Sequence, residues 1–202
     1  MQKFRKILIL MLSMLITFYC LISAIPSQAA SPSTQVRTQT KKFIKVCRTY
    51  NRNNAMKYID MASNKNKFYY VQFAAWNEPI RKIKQHDKAK ITKIIIDGST
   101  ANVYLDYKTV DCYAIFYECF KRELHNKGVI NTNRLEADIT KKLTNSAKRW
   151  KKKQTTSELK IKYKKLKGKW IISKVNFDVR FMYDSGAAEA MYDFTKNPFI
   201  FY

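Results

Sequence analysis

The chain has 202 residues, of which 39 are lysine or arginine and 15 are aspartate or glutamate, so its net charge is +24 at neutral pH. This length suits a single domain that buries its own hydrophobic core. The chain has only four glycines and two histidines, and it lacks a glycine-rich phosphate loop, a zinc-ligand pattern and a catalytic motif. We therefore expect no metal, no cofactor and no catalytic residue.

Residues 1–30 have the pattern of a secretory signal peptide. Three basic residues precede an apolar run from Ile7 to Ile25, and the small residues Ser27 and Ala29 then stand where a signal peptidase requires them. Cleavage after Ala29 or Ala30 is expected, and an uncleaved membrane anchor is the alternative. We predict a secreted, extracellular protein that associates with the cell wall.

Removal of this segment would leave 36 basic and 15 acidic residues. Such a surplus attracts polyanions, and the attraction weakens as salt rises. The expected partners outside a cell are anionic cell-wall polymers and lipid headgroups, with extracellular nucleic acid as an open alternative. The charge could also serve solubility alone.

Three cysteines follow the first thirty residues, namely Cys47, Cys112 and Cys119. Within one helix, Cys112 and Cys119 would lie roughly 10 Å apart, which is beyond disulfide reach. Either Cys47 pairs with one of them and leaves a free thiol, or all three are buried free thiols that pack as small apolar side chains.

The first elements have helical spacing. Residues 31–35 are predicted to be a polar linker, with Thr34 capping a helix over 34–50. Apolar residues over 55–61 indicate a second, short helix. The aromatic stretch 68–76 is interpreted as helical and ends at Asn77-Glu78-Pro79.

The pattern then changes to that of strands. Residues 89–96 form an apolar run, the turn residues 97–99 follow, and residues 101–107 alternate between apolar and polar. This pattern predicts a β-hairpin. A second hairpin is predicted from alternation over 159–163, the Lys167-Gly168 turn and the apolar stretch 170–175.

Two amphipathic helices are predicted between these hairpins, over 111–126 and 132–150, and both are expected to pack on the sheet. The element order indicates an α+β fold with a curved antiparallel sheet. Residues 177–202 are predicted to be an aromatic-rich tail, which either exposes an apolar patch or folds back onto the domain.

The stretch Ile94 to Val103 and the closing stretch Lys167 to Ile172, in an exported chain that opens with helices, resemble the NTF2-like (cystatin-like) superfamily. They are most similar to the exported DUF4878 and DUF5105-type domains of Gram-positive bacteria. The resemblance spans residues 36–176 and implies a cone, in which helices pack on a bent sheet around a cavity. It also implies either a non-catalytic binding or dimerising module or an isomerase or dehydratase that uses the cavity.

A lysine-rich segment is the strongest polar feature of the sequence. Residues 141–169 contain 13 basic residues and one acid, Glu158. Lysines 160, 162 and 164 share one strand face at a spacing of about 7 Å, which suits the repeat of a polyanion. The excess of lysine over arginine favours point-charge attraction over base readout. The predicted polyanion-binding residues are Lys148, Arg149, Lys151, Lys152, Lys153, Lys160, Lys162, Lys164 and Lys165.

An enzyme of the isomerase type would need a carboxylate base and an acidic donor inside the cone. Tyr104, Asp106, Asp111 and Tyr113 are the candidates from sequence. Asp106 is expected to face solvent, and Asp111 is expected to cap a helix. The favoured hypothesis is therefore an exported, non-catalytic binding module of the bacterial envelope, and a homodimer is a further prediction.

Overall fold

The computed structural model describes residues 30–64, 67, 74–127 and 131–196, and the expected signal peptide therefore lies outside the described residues. The fold is α+β, with helices packed around one four-stranded antiparallel sheet. The elements are α1 (Pro32–Arg48), α2 (Arg52–Met56), α3 (Met61–Asn64), α4 (Ala74–Lys84), β1 (Lys88–Asp97), β2 (Thr100–Val110), α5 (Cys112–Lys127), α6 (Thr132–Lys148), α7 (Trp150–Lys153), β3 (Gln154–Leu166), β4 (Lys169–Ile172), α8 (Phe177–Asp184) and α9 (Ala187–Lys196).

The sheet has the strand order β1-β2-β3-β4, and both predicted hairpins are confirmed. Gly98 has a φ of +52° in the β1–β2 turn, whereas Lys167 and Gly168 both have positive φ in the β3–β4 turn. These angles suit the two tight turn types that match strand twist. Strands β2 and β3 pair from Thr100 to Val110 although α5, α6 and α7 separate them in sequence.

The predicted linker at 31–35 is wrong, because α1 already begins at Pro32. Proline suits the first position of a helix, where its missing N–H and its fixed φ have no cost. The second predicted helix is divided into α2 and α3. The Asn51 side chain caps α2 by accepting a hydrogen bond from the N–H of Asn54.

The predicted helix end at Pro79 is also wrong, since α4 continues through this proline to Lys84. A proline inside a helix removes one backbone hydrogen bond and crowds the preceding turn. The burial of Trp76, Ile80 and Ile83, each at most 3% exposed, favours continuation of the helix. Residues 68–73 of this predicted helix lie outside the described residues.

Buried apolar side chains form two clusters. One joins the inner face of the sheet to α1, α2 and α8, and it includes Phe43, Leu105 and Ile161. The other joins α4, α5, α6 and α9. Helices α5 and α6 pack mainly on α4, α9 and each other, so the prediction that both pack on the sheet is wrong. Their apolar stripes specify a buried face but not the surface that covers it.

The aromatic-rich C-terminal segment belongs to the domain as far as it is described. Helix α8 buries Val179, Phe181, Met182 and Tyr183 against the sheet cluster. Helix α9 stacks Phe194 on Phe120 of α5, with ring centroids 4.1 Å apart. Of the two alternatives for this segment, residues 177–196 thus follow the one in which it folds back onto the domain, and they cover apolar surface of both clusters.

Two stretches of strand edge are covered. Ile59 forms a parallel bridge with Ile172 of β4. Beyond the short strand β4, the backbone N–H of Lys160 donates to the Asp178 carboxylate of α8 at 3.0 Å. Coverage of this kind hides backbone groups that would otherwise pair with another chain. In the described ranges, no helix is long and apolar enough to cross a membrane.

The three cysteines of the described chain are buried free thiols. Burial raises the pKa of Cys47 to about 12 and that of Cys112 well above its ordinary value. Because the thiolate is the reactive form, these thiols are expected to be inert in the native state.

We predict that alkylation followed by mass spectrometry labels neither Cys47 nor Cys112 in the native protein. All three cysteines should be labelled when the protein is unfolded without reductant. A disulfide would contradict this expectation, because it would leave two cysteines unlabelled until reductant is added.

Candidate functional site

The structure gathers five of the predicted basic residues at one corner. We call this corner, where α6 ends and α7 leads into β3, the basic corner; it consists of Lys148, Arg149, Lys151, Lys152 and Lys153. All five side chains are exposed. Within the described ranges, no carboxylate lies within ion-pair distance of any of them. The corner is therefore a concentrated positive charge open to solvent.

An aromatic stack holds this corner in place. The indole of Trp150 lies parallel to the imidazole of His86, with centroids 4.3 Å apart and planes 4° from parallel. The Gln154 side chain donates to the backbone carbonyl of His86 at 2.9 Å. His86 is half-buried, and its ring connects the residues after α4 to α7. No sequence pattern links two residues so far apart in the chain.

A cavity of about 430 Å³ opens beside the basic corner between α5 and α6. Its lining includes the cations Lys142, Arg149 and Lys153 and the carboxylates of Asp111 and Glu118. Lys142 pairs with Glu118 at 2.7 Å and lowers the pKa of that carboxyl.

Asp111 accepts a hydrogen bond from the N–H of Ala114, which confirms its predicted role as a helix cap. Both carboxylates in the cavity lining thus have a protein partner. Lys142 is also paired, so Arg149 and Lys153 are the two cations of the lining that could interact with a bound anion.

The predicted row of lysines on β3 is only partly open. Lys164 pairs with Asp60 at 2.5 Å, and this contact lowers the pKa of Asp60. The ammonium of Lys160 lies 5.2 Å from the ring centroid of Tyr104. Lys162 and Lys165 are exposed. The row therefore adds to the positive field, but it is not a set of equivalent binding groups.

The carboxylates explain why the charge collects where it does. All 15 acidic side chains lie within the described residues. Seven of them form ion pairs, and others cap helices or bind backbone amides. With most acids engaged in this way, few remain to neutralise the surplus cations.

The candidate catalytic residues do not converge. Tyr104 and Asp106 lie on the outer face of the sheet, where both are half-buried. The hydroxyl of Tyr113 instead donates to Asp193 at 3.0 Å, and partial burial together with this carboxylate raises the pKa of Tyr113 to about 12. These four side chains therefore form no acid–base pair inside the fold.

A buried polar cluster that no sequence motif indicates lies at the end of α4. Lys84, the last residue of α4, forms an ion pair with Asp87 and donates to the hydroxyl of Tyr107 at 2.9 Å. Tyr107 donates to Asp87 at 2.5 Å, and Thr109 donates to the second carboxylate oxygen at 2.6 Å. All four residues are at most 3% exposed. Tyr107 and Thr109 are two residues apart on β2, so both side chains point to the interior. This spacing is the only sign in the sequence of polar groups buried at this place.

This cluster is closed to substrate. Both oxygens of the Asp87 carboxylate have donors, and Lys84 has three partners, the third being the hydroxyl of Ser185 at 3.3 Å. A buried ion pair is retained without penalty only when such additional hydrogen bonds satisfy it. The cluster therefore acts as a structural junction, and it offers no free base.

The neighbouring turn between α8 and α9 contains a second buried carboxylate. Asp184 accepts from the N–H groups of Gly186 and Ala188, each at 3.0 Å. Desolvation by burial raises the pKa of Asp184 to about 7, although these amides and the charge of Lys84 oppose the shift. Gly186 has a φ of +87°, and an added Cβ would lie 2.8 Å from that of Tyr113. Close packing thus requires glycine here.

No family model, curated protein or solved structure matches this chain. Within the described residues, no group of three or more histidine, cysteine or acidic side chains could hold a metal ion. The function is therefore inferred from the charges and the packing of the chain itself.

We predict that Asp184→Asn removes the contribution of this residue to the pH dependence of stability. The folded state binds the Asp184 proton more tightly than the unfolded state does, so this residue stabilises the fold at low pH. That contribution is lost as pH rises from about 4 to about 7. Relative to wild type, the variant should gain on the order of a few kcal/mol between these limits. Urea unfolding across this range measures it, and parallel curves would contradict the expectation.

We predict that Tyr107→Phe lowers the free energy of unfolding by about 2 to 3 kcal/mol, because Asp87 loses one of its buried donors and Lys84 loses one of its buried acceptors. Tyr104→Phe, on the outer face of the same strand, is the matched control and should change stability by less than about 0.5 kcal/mol. Equal effects of the two substitutions would show that the cluster contributes no special stability.

Proposed function

We propose that this protein is an exported, non-catalytic binding module of the bacterial envelope that holds anionic polymers through its basic corner. The main support is the group of five exposed cations, none of which has a carboxylate within ion-pair distance among the described residues. Lysine ammonium groups attract phosphate or carboxylate charges without fixed geometry. A polymer with repeated charges can therefore engage several of them together.

The NTF2-like cone is part of this proposal. It is supported by α1 lying across the inner face of an antiparallel sheet and by the bulge between Ile91 and Lys93, which bends β1. The inner face is filled by Val103, Leu105 and Ile161, each at most 1% exposed. A filled face favours a binding surface on the exterior over an enzymatic cavity inside.

Wall polymer and lipid headgroups are favoured over nucleic acid as the ligand. Single-strand binders stack bases on exposed aromatic rings. Here Tyr163 and Trp170, which interleave with the lysines in sequence, are 1% and 3% exposed, and Trp150 stacks on His86. The expected binding is electrostatic and independent of base sequence.

Co-sedimentation with purified Gram-positive cell wall tests the proposal. The protein should pellet with intact wall at low salt. It should remain in solution when the anionic polymer has been stripped from the wall, or when the salt concentration is high. Binding that is insensitive to both treatments would refute electrostatic attachment.

A matched pair of variants tests the location. Replacing Lys148, Arg149, Lys151 and Lys152 by glutamine should weaken binding by at least about tenfold and flatten the salt dependence. The control replaces four exposed residues of α1, namely Arg37, Lys41, Lys42 and Lys45, which are also three lysines and one arginine. The control should retain most of the binding. Equal losses would mean that net charge alone matters, and the basic corner would not be a site.

A further inference from the structure

Strand β1 lies at one edge of the sheet, and no described segment pairs with its outer side. It is ten residues long, and among the described residues its one strand partner is β2. On β3 and β4, by contrast, Asp178 and the segment around Ile59 cover part of the edge. An edge of this length is a template for an added strand.

Hairpin geometry determines which backbone groups of β1 face outward. Asp97 and Thr100 flank the two-residue turn, so they form the hydrogen-bonded pair that closes it. Because paired positions alternate along an antiparallel ladder, the N–H and C=O groups of Ile96 and Ile94 point away from β2. These groups are available to another strand.

The inner-face side chains of β1 are apolar but incompletely covered. Ala89, Ile91, Ile94 and Ile96 pack against the sheet cluster and remain only half-buried, whereas the corresponding residues of β2 are at most 2% exposed. An apolar side chain on an added strand would extend this layer and remove surface from water.

Lysines predominate on the outer face of β1, which also carries Ile95 and, at its end, Asp97. Lys88, Lys90 and Lys93 are exposed, and within the described chain no carboxylate pairs with them. Two copies of this chain would bring these lysines and their large net positive charges together, which opposes self-association. The charge complementarity therefore selects a partner with acidic groups on this face.

We propose that β1 binds an extended peptide segment of a partner protein, in which acidic residues alternate with apolar ones, by adding it to the sheet as a fifth strand. Successive side chains of a strand point to opposite faces, so the acidic residues would meet Lys90 and Lys93 while the apolar residues extend the isoleucine layer. This site is separate from the basic corner and does not depend on the function proposed for it.

Two peptides of about eight residues and identical composition test the proposal. In one, aspartate and valine alternate; in the other, the aspartates are grouped at one end. Fluorescence anisotropy should show roughly tenfold tighter binding of the alternating peptide at physiological salt. Hydrogen exchange at the amides of Ile94 and Ile96 should slow when it binds. Equal affinities, or protection of amides elsewhere, would overturn the proposal.

Charge variants provide the matched control. The double variant Lys90→Glu and Lys93→Glu should lose at least about tenfold in affinity for the alternating peptide. Lys41→Glu with Lys42→Glu, on α1, changes the net charge equally and should keep the affinity within about twofold. The same loss in both variants would overturn a site at β1.

A backbone variant tests the added strand itself. Ile94→Pro removes an outward N–H without removing a bond to β2, a position that an edge strand tolerates. It should abolish protection at Ile96 while the thermal midpoint shows that the variant is folded. Sedimentation equilibrium completes the test, because self-association lost in Ile94→Pro would make a second copy the occupant and overturn the proposal.

Discussion

The buried ion pair between Lys84 and Asp87 is the constraint on which the arrangement of the two apolar clusters depends. It stands at the end of α4, and Tyr107 and Thr109 extend it along β2. The hydroxyl of Ser185, in the α8–α9 turn, contacts Lys84, and the backbone carbonyl of Ser185 accepts hydrogen bonds from the first two amides of α5. Neither charge can be buried unless all of these elements are in place. The sheet cluster and the helical cluster are therefore coupled through polar contacts whose geometry admits little variation.

The chain has far fewer acidic than basic residues, and this affects both the interior and the surface charge. Most carboxylates are engaged in ion pairs, helix caps or contacts with backbone amides. An acid engaged in this way no longer neutralises a distant lysine. The cations that no acid reaches are then concentrated where the chain has lysine runs, above all at the basic corner. A large positive field outside is thus a consequence of how few carboxylates the sequence contains and of where the fold uses them.

Local pattern predicted the local structure well. The two hairpins followed from Gly98 and Gly168 in turns that require positive φ, and the cap at Asp111 followed from its place before an apolar helix. What could not be predicted required knowledge of partners distant in sequence. An apolar stripe on α5 does not say whether a sheet or another helix covers it, and propensity ends a helix at Pro79 although burial of its neighbours continues it. The His86–Trp150 stack and the Lys84 cluster are invisible to periodicity for the same reason.

The treatment of the strand edges bears on where partners would bind. Asp178 accepts from one backbone N–H of β3, and the neighbours of Ile59 bond both backbone groups of Ile172 in β4. Both covering segments also bury apolar side chains. At β1, by contrast, the isoleucines remain half-buried and three lysines line the outer face. Lysines discourage pairing between identical edges, because like charges then oppose one another, but they favour a strand of opposite charge. A single feature thus disfavours pairing between two copies of this edge and favours a strand of opposite charge.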